Sequence, residues 1–209
     1  MLQVAVIGVG FVAQLLAWRA VASGRFSALT LLGPVQAFLG IAALLARHQV
    51  LSGRIPIPTA TVAGLGSGVA FYLGTLGFVT FASGWEGFRT QVEAQYRRAN
   101  DLPLVTALAL AVLVAAPGEE LFWRGLAQPR LHDALPGLVG PGLAWLGYAA
   151  SNAASASVVF VVGAIVGGVV WGALALWTMG ILASILCHTV WTGMMLVRPP
   201  ASARGMMRA

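Results

Sequence analysis

The sequence predicts an all-α fold, a polytopic membrane helical bundle of about seven transmembrane helices plus one interfacial amphipathic helix. Composition is the first reason: 59% of the 209 residues are hydrophobic, 9% are charged, and the mean hydropathy is +0.87. The second reason is that the apolar residues form runs close to the ~20 residues that a helix needs to cross a bilayer. Together these observations exclude a soluble domain.

The charge pattern indicates a membrane rather than a nucleic-acid partner. The net charge of +6 comes from 12 arginines, no lysine and six acidic residues. Most of these arginines flank the apolar runs, where they act as topological anchors, so we expect the lipid bilayer as a partner and no nucleic acid. The preference for arginine over lysine indicates a GC-rich bacterial genome, and we therefore expect an integral protein of the bacterial inner (plasma) membrane.

Residues 1–83 are predicted to form an N-terminal group of membrane helices. The apolar runs cover residues 1–17, 31–46 and 59–81. No basic segment precedes the first run, so we interpret it as a retained span rather than a cleaved signal peptide. In the third run, Gly64 and Gly68 have the spacing that lets another helix approach closely.

Residues 84–100 are predicted to form an interfacial amphipathic connector. Apolar side chains recur there at spacings of three and four, at Trp85, Phe88, Val92 and Tyr96. Charged residues occupy the other faces, which is typical of a helix lying in the membrane interface. Two roles stay open: a solvated connecting helix, or a lid over a substrate entrance between helices.

Residues 101–197 are predicted to contain the remaining spans, followed by a basic tail over residues 198–209. Asp101 is a plausible helix N-cap, and the helix that follows is expected to continue to about Ala127, with a kink at Pro117. Residues 128–141 read as a loop with Arg130, His132 and Asp133 on the surface. Three further helices are expected over residues 142–157, 158–177 and 180–197.

Ionisable residues within the apolar runs mark the candidate site, because charge at membrane depth is costly and is usually functional. Glu120 and Arg124 are four residues apart on one helical face, so Arg124 is expected to neutralise Glu120. Glu119 points about 100° around the helix and lacks that partner. The alternative is a buried ion pair that only fixes helix register.

The expected helix directions bring three polar residues to one depth. Glu119, Asn152 and His188 each lie about 10 to 13 Å from the same membrane face at 1.5 Å per residue. Each of the last two has a polar neighbour one turn away, Tyr148 for Asn152 and Thr192 for His188. Apolar packing alone would not require this convergence, which therefore favours a functional site.

Three motifs in this region resemble those of a known family. Glu119-Glu120-Leu121-Phe122-Trp123-Arg124 matches an EExxxR signature, Tyr148 to Asn152 stands where the family has FxxxH, and His188 to Thr192 stands where it has HxxxN or HxxxD. The sequence is similar to the CAAX-protease and bacteriocin-processing (CPBP) family of intramembrane glutamic endopeptidases. The resemblance makes residues 101–197 the expected protease core.

The resemblance implies a mechanism and a kind of substrate. Glu119 would be the general base on a water, Glu120 and Arg124 would hold the motif, and His188 would stabilise the oxyanion. The implied substrate is a membrane-anchored or lipidated protein or peptide. Neither a cofactor nor a metal is expected, because two glutamates and a histidine without an HExxH motif give poor grounds for zinc.

Two positions depart from the family pattern. Asn152 stands in place of a histidine and cannot accept a proton, so general-base duty would fall on Glu119 alone. Thr192 replaces Asn or Asp, and its hydroxyl can still donate one hydrogen bond. These departures leave an alternative function: a catalytically weak or inactive family member that acts as a membrane binding or immunity protein.

Overall fold

The chain is an all-helical bundle in a computed structural model that describes residues 1–99 and 102–200. Over these residues the chain forms helices and no strands. The helices are α1 (Leu2–Ala22), α2 (Ala28–Ala46), α3 (Ile57–Ala82), α4 (Glu86–Ala99), α5 (Leu104–Ala134), α6 (Val139–Ala153), α7 (Val158–Thr178) and α8 (Leu182–Val197). The predicted all-α class is confirmed.

Five of these helices are long and apolar enough to cross a membrane, namely α1, α2, α3, α5 and α7. Helix α8 is apolar but has only 16 residues, and α6 has 15. The chain is therefore an integral membrane protein. The count of seven spans, like the division into segments 1–83, 84–100, 101–197 and 198–209, stays a prediction.

The loop predicted over residues 128–141 is wrong in its first half, because α5 continues to Ala134. Two π-helical segments accommodate the prolines inside α5. Pro117 is the second residue after the segment Ala109–Ala115, and Pro129 is the second residue after Trp123–Ala127. A π turn shifts the backbone hydrogen-bond register, so a following proline can lack its N–H without ending the helix.

Helices α3 and α8 pack closely where the sequence predicts it. A Cβ atom added to Gly64 would lie 2.7 Å from the carbonyl oxygen of Ala183, and one on Gly68 would lie 2.8 Å from the Cβ of Val190. Larger side chains would separate the two helices. The prediction from the Gly64 and Gly68 spacing is confirmed.

Glycines also let α1 and α2 approach α5, the helix that carries the glutamates. A Cβ on Gly40 of α2 would lie 2.9 Å from the Cα of Gly118 on α5. A Cβ on Gly10 of α1 would overlap the ring of Phe122. Both contacts lie within one helical turn of Glu119. Side chains one turn away from these glycines on α1 and α2 can therefore reach Glu119.

Helix α4 buries most of its predicted apolar face. Val92 is only 2% exposed, and Phe88 and Tyr96 pack with it against Val79 of α3 and Val159 of α7. Trp85 is 66% exposed and is not part of this contact. The end of the predicted connector at residue 100, and the N-cap assigned to Asp101, lie outside the described residues.

Candidate active site

Glu120 is at the centre of a buried charge pair. Its Oε1 accepts a hydrogen bond from Nη1 of Arg124 at 3.1 Å, and both side chains are almost fully buried. Arg124 also donates to the carbonyl oxygen of Gly168 at 3.3 Å and lies 4.4 Å from the ring centroid of Tyr148. The predicted pairing is confirmed, and Tyr148 supports the cation with the face of its ring.

His188 connects this pair to the second glutamate. Its Nδ1 lies 3.0 Å from Oε1 of Glu120, and its ring stacks on Trp171 with the centroids 3.7 Å apart. An ionised carboxylate can only accept hydrogen bonds, so a glutamate paired with arginine assigns the Nδ1 proton to His188. The other ring nitrogen, Nε2, is thereby directed towards Glu119, with its Oε2 at 3.9 Å.

Glu119 has neutral partners. Its Oε1 accepts hydrogen bonds from the amide nitrogens of Gln14 at 2.9 Å and Gln36 at 3.2 Å. The 3.9 Å between its Oε2 and Nε2 of His188 is too long for a direct hydrogen bond, but one water can bond to both atoms. As expected, Arg124 pairs with Glu120 and not with Glu119. The expectation did not include the two amide donors that bind Glu119.

The glutamines come from α1 and α2, which carry no recognised motif. Gln14 is fully buried, and its Oε1 accepts a hydrogen bond from the indole N–H of Trp123 at 2.8 Å. Gln36 is also buried. The only signal in the sequence is an amide four residues from a glycine inside an apolar run: Gln14 follows Gly10, and Gln36 precedes Gly40.

The polar residues predicted to converge do line one cavity of about 630 Å³. Its polar lining includes Gln36, Glu119, Asn152, His188 and Thr192, and the rest is mainly apolar. Phe88 and Val92 of α4 contribute to the same wall. Glu119, Asn152 and His188 therefore border one shared space, and their equal depth in the membrane stays a prediction.

The two side chains that depart from the family motifs differ from expectation in their contacts. Asn152 donates from Nδ2 to the backbone carbonyl of Tyr148 at 2.9 Å, so its partner is not the phenol. The hydroxyl of Thr192 is buried and has no hydrogen-bond partner among the described residues. The expected pairing of Thr192 with His188 is therefore not a hydrogen bond, because the ring nitrogens face the two glutamates instead.

Metal-ligating side chains are not clustered in the described part of the chain. No group of three or more His, Cys, Asp or Glu side chains there is arranged to hold a metal ion. Cys187, the neighbour of His188 in the sequence, is buried and forms no disulfide. The expectation that neither a metal nor a cofactor takes part stays a prediction.

The fold and the site together define an integral membrane protein with a buried, partly charged cavity. Residues 101–194 match the sequence model of a family described as Type II CAAX prenyl endopeptidase Rce1-like. The match covers a little under half of the chain, confirms the resemblance drawn from the motifs and supports a protease role in general terms. No curated protein and no solved structure matches the chain.

Proposed function

We propose that the chain is an intramembrane endopeptidase that hydrolyses a peptide bond of a membrane-associated protein or peptide through a water activated by Glu119. One observation carries the proposal: Oε2 of Glu119 and Nε2 of His188 lie 3.9 Å apart beside the cavity. A water bonded to both atoms would have a proton acceptor on one side and an imidazole nitrogen on the other.

The reaction needs only these groups and the water. As the water oxygen bonds to the peptide carbonyl carbon, its proton moves to Oε2 of Glu119 and the carbonyl oxygen becomes an oxyanion. When the tetrahedral intermediate collapses, the carbon–nitrogen bond breaks and Glu119 returns the proton to the leaving amine. A carboxylate that takes and then gives a proton in this way contributes ~10²- to 10⁴-fold in rate.

His188 acts as the oxyanion donor in this proposal, with Glu120 and Arg124 holding it in position. Because Nδ1 donates to Glu120, the Nε2 atom donates towards the cavity only in the imidazolium form. A preorganised donor of this kind contributes ~3 kcal/mol to transition-state stabilisation in a dry site.

The lining of the cavity supports a substrate that comes from the membrane. Beyond the polar wall, its sides are formed by apolar residues such as Trp18, Leu32, Phe71 and Phe160. Such a wall suits a membrane-anchored segment or a lipid chain attached to the substrate. The substrate we propose is therefore a membrane-anchored or lipidated protein or peptide, cleaved in the bacterial inner membrane.

A second candidate function is a membrane binding or immunity protein with little or no catalysis. The observation that favours it concerns Asn152, which donates to the backbone of its own helix and, as an amide, cannot take a proton, so general-base duty falls on Glu119 alone. The same cavity could then hold a peptide without cleaving it.

The two candidates differ in an isotope experiment on the full chain in lipid nanodiscs. The probe is a peptide ending in a prenylated Cys-aliphatic-aliphatic-X sequence, and a membrane-anchored peptide library extends the search. In H₂¹⁸O, the endopeptidase inserts one ¹⁸O into the new carboxyl group, which mass spectrometry detects. Saturable binding of intact peptide, without any product, would instead support the second candidate. A Glu119→Gln preparation controls for contaminating peptidases.

A further inference from the structure

We propose that Gln14 and Gln36 are positioning residues that hold Glu119 in one orientation and make Oε2 the oxygen that exchanges the proton. The inference deepens the proposed function and rests on it where it concerns proton transfer. It assigns a role to α1 and α2, which lie outside the segment that matches the protease family.

The orientation of the Gln14 amide is set by its neighbours. The indole N–H of Trp123 can only donate, and it lies 2.8 Å from Oε1 of Gln14. The nitrogen of the amide is therefore the atom that faces Glu119, at 2.9 Å. This chain of two hydrogen bonds fixes which end of the amide meets the carboxylate, and Gln14 is fully buried around it.

Gln36 supplies a second amide donor to the same oxygen. Its nitrogen lies 3.2 Å from Oε1 of Glu119. A reversed amide would bring two oxygen atoms together, and a carboxylate oxygen repels another acceptor. The carbonyl oxygen of Gln36 has no hydrogen-bond partner among the described residues, so the donor contact is what places this side chain.

Two donors on one carboxylate oxygen leave the other oxygen for chemistry. The last torsion of a glutamate side chain is soft and nearly two-fold, so packing alone does not distinguish Oε1 from Oε2. With Oε1 occupied by two N–H groups, a proton on Glu119 resides on Oε2, the atom that faces His188. The attacking water and the leaving amine would then exchange protons at a single fixed position.

The alternative to a positioning role is a structural one, in which the two glutamines only bridge helices through buried hydrogen bonds. Loss of such a bridge would lower stability without a specific effect on turnover. The chain offers a matched control in Gln128, which is also buried and donates to the carbonyl of Gly172 at 3.1 Å. This hydrogen bond goes to the backbone of α7 and not to Glu119, so Gln128→Met removes a comparable bond that does not orient the Glu119 carboxylate.

The first arm of the test measures kcat and KM for the prenylated peptide with Gln14→Met and Gln36→Met in nanodiscs. Misplacement of a reacting group by about 1 Å can cost ~10²-fold in rate. We expect a loss of that order in kcat with KM unchanged, and little change in kcat for Gln128→Met. Trp123→Phe, which removes the indole donor to Gln14 and keeps an aromatic ring at this buried position, should give a smaller loss in kcat.

The second arm does not depend on cleavage. Infrared difference spectra between the wild type and Glu119→Gln at acidic pH identify the C=O stretch of protonated Glu119. Hydrogen bonds to a carbonyl oxygen lower its stretching frequency. We therefore expect the band to move to higher wavenumber in Gln14→Met and in Gln36→Met, and to stay in place in Gln128→Met.

The outcomes separate the inference from the proposed function. If the wild type cleaves none of the probes, the proposed endopeptidase fails while the infrared arm still decides the role of the glutamines. If the band does not move in either variant, or moves equally in Gln128→Met, the positioning role is wrong. If Gln14→Met does not fold, Gln36→Met and Trp123→Phe provide the same readouts under the same criteria.

Discussion

The two faces of α5 hold chemically identical carboxylates in opposite ways. On one face, Glu120 pairs with a cation, at 3.1 Å from Arg124, and with an imidazole, at 3.0 Å from His188. On the other face, Glu119 is held by two neutral amides and borders the cavity. The charge of Glu120 is neutralised in place, whereas the charge of Glu119 stays available to a proton.

This difference indicates how one helix can combine stability with reactivity. A buried carboxylate that is bonded to a guanidinium fixes the surrounding geometry, and removal of either partner leaves an uncompensated charge. A carboxylate held by amide donors keeps its orientation without losing its charge to a cation. In the proposed function, Glu120 therefore organises the site and Glu119 performs the chemistry.

The largest effect on stability is expected from Glu120→Gln. This change leaves the Arg124 cation buried without its anion, which should lower the free energy of unfolding by ~3–5 kcal/mol. Unfolding of the purified protein in detergent micelles measures this loss. Glu119→Gln is the matched variant, and it should cost no more than ~1 kcal/mol because its amide oxygen can still accept from Gln14. Equal losses in the two variants would remove the distinction between the faces.

Asn152→His is expected to raise the rate of turnover. A histidine at this position adds a second proton acceptor to the wall that contains Glu119, and a positioned acid–base group contributes at least ~10²-fold in rate. We expect kcat for the prenylated peptide to rise towards that value, as measured by product formation in nanodiscs. An unchanged or lower rate, with binding retained, would favour the binding protein.

A smaller effect is expected from Gly118→Ala, which changes the packing between α2 and α5. The added methyl group would overlap the backbone carbonyl of Gln36 and displace α2 from α5. Overpacking of this kind costs ~1–3 kcal/mol and should also lower kcat, because Gln36 would move away from Glu119.

Gly66→Ala in α3 is the control for this substitution, because within the described part of the chain no atom outside its own helix turn lies within 4 Å of the added Cβ. Unfolding and turnover should both match the wild type there. If Gly118→Ala behaves like Gly66→Ala, close contact between α2 and α5 is not needed for the site.

The contact between Glu120 and Arg124 could be predicted from the sequence. The spacing of Glu120 and Arg124 follows directly from helix geometry, and the pair has the expected contact. Helix order and spacing also predicted that Glu119, Asn152 and His188 meet, and the three residues do line one cavity, while their depth in the membrane stays a prediction. Both predictions depend on helical spacing and not on detailed packing, and the contact of Glu120 with Arg124 is retained although Arg124 lies in the π-helical segment Trp123–Ala127.

The two glutamines that bind Glu119 could not be predicted in the same way. Gln14 and Gln36 reach Glu119 because Gly10 and Gly40 allow α1 and α2 to contact α5, and such tertiary contacts have no local signal. The extension of α5 to Ala134 was also missed. Glycine and proline after residue 127 predict a loop, and a π-helical segment that accommodates proline leaves no pattern in the sequence.

In the proposed mechanism Glu119, and not the charge pair beside it, supplies the proton acceptor. The most direct measurement compares hydrolysis of the prenylated peptide by the wild type and Glu119→Gln in the same nanodiscs, with the unfolding transition of each recorded. We predict that hydrolysis falls by at least ~10²-fold while the unfolding transition stays close to that of the wild type. Hydrolysis by Glu119→Gln at the wild-type rate would contradict the account.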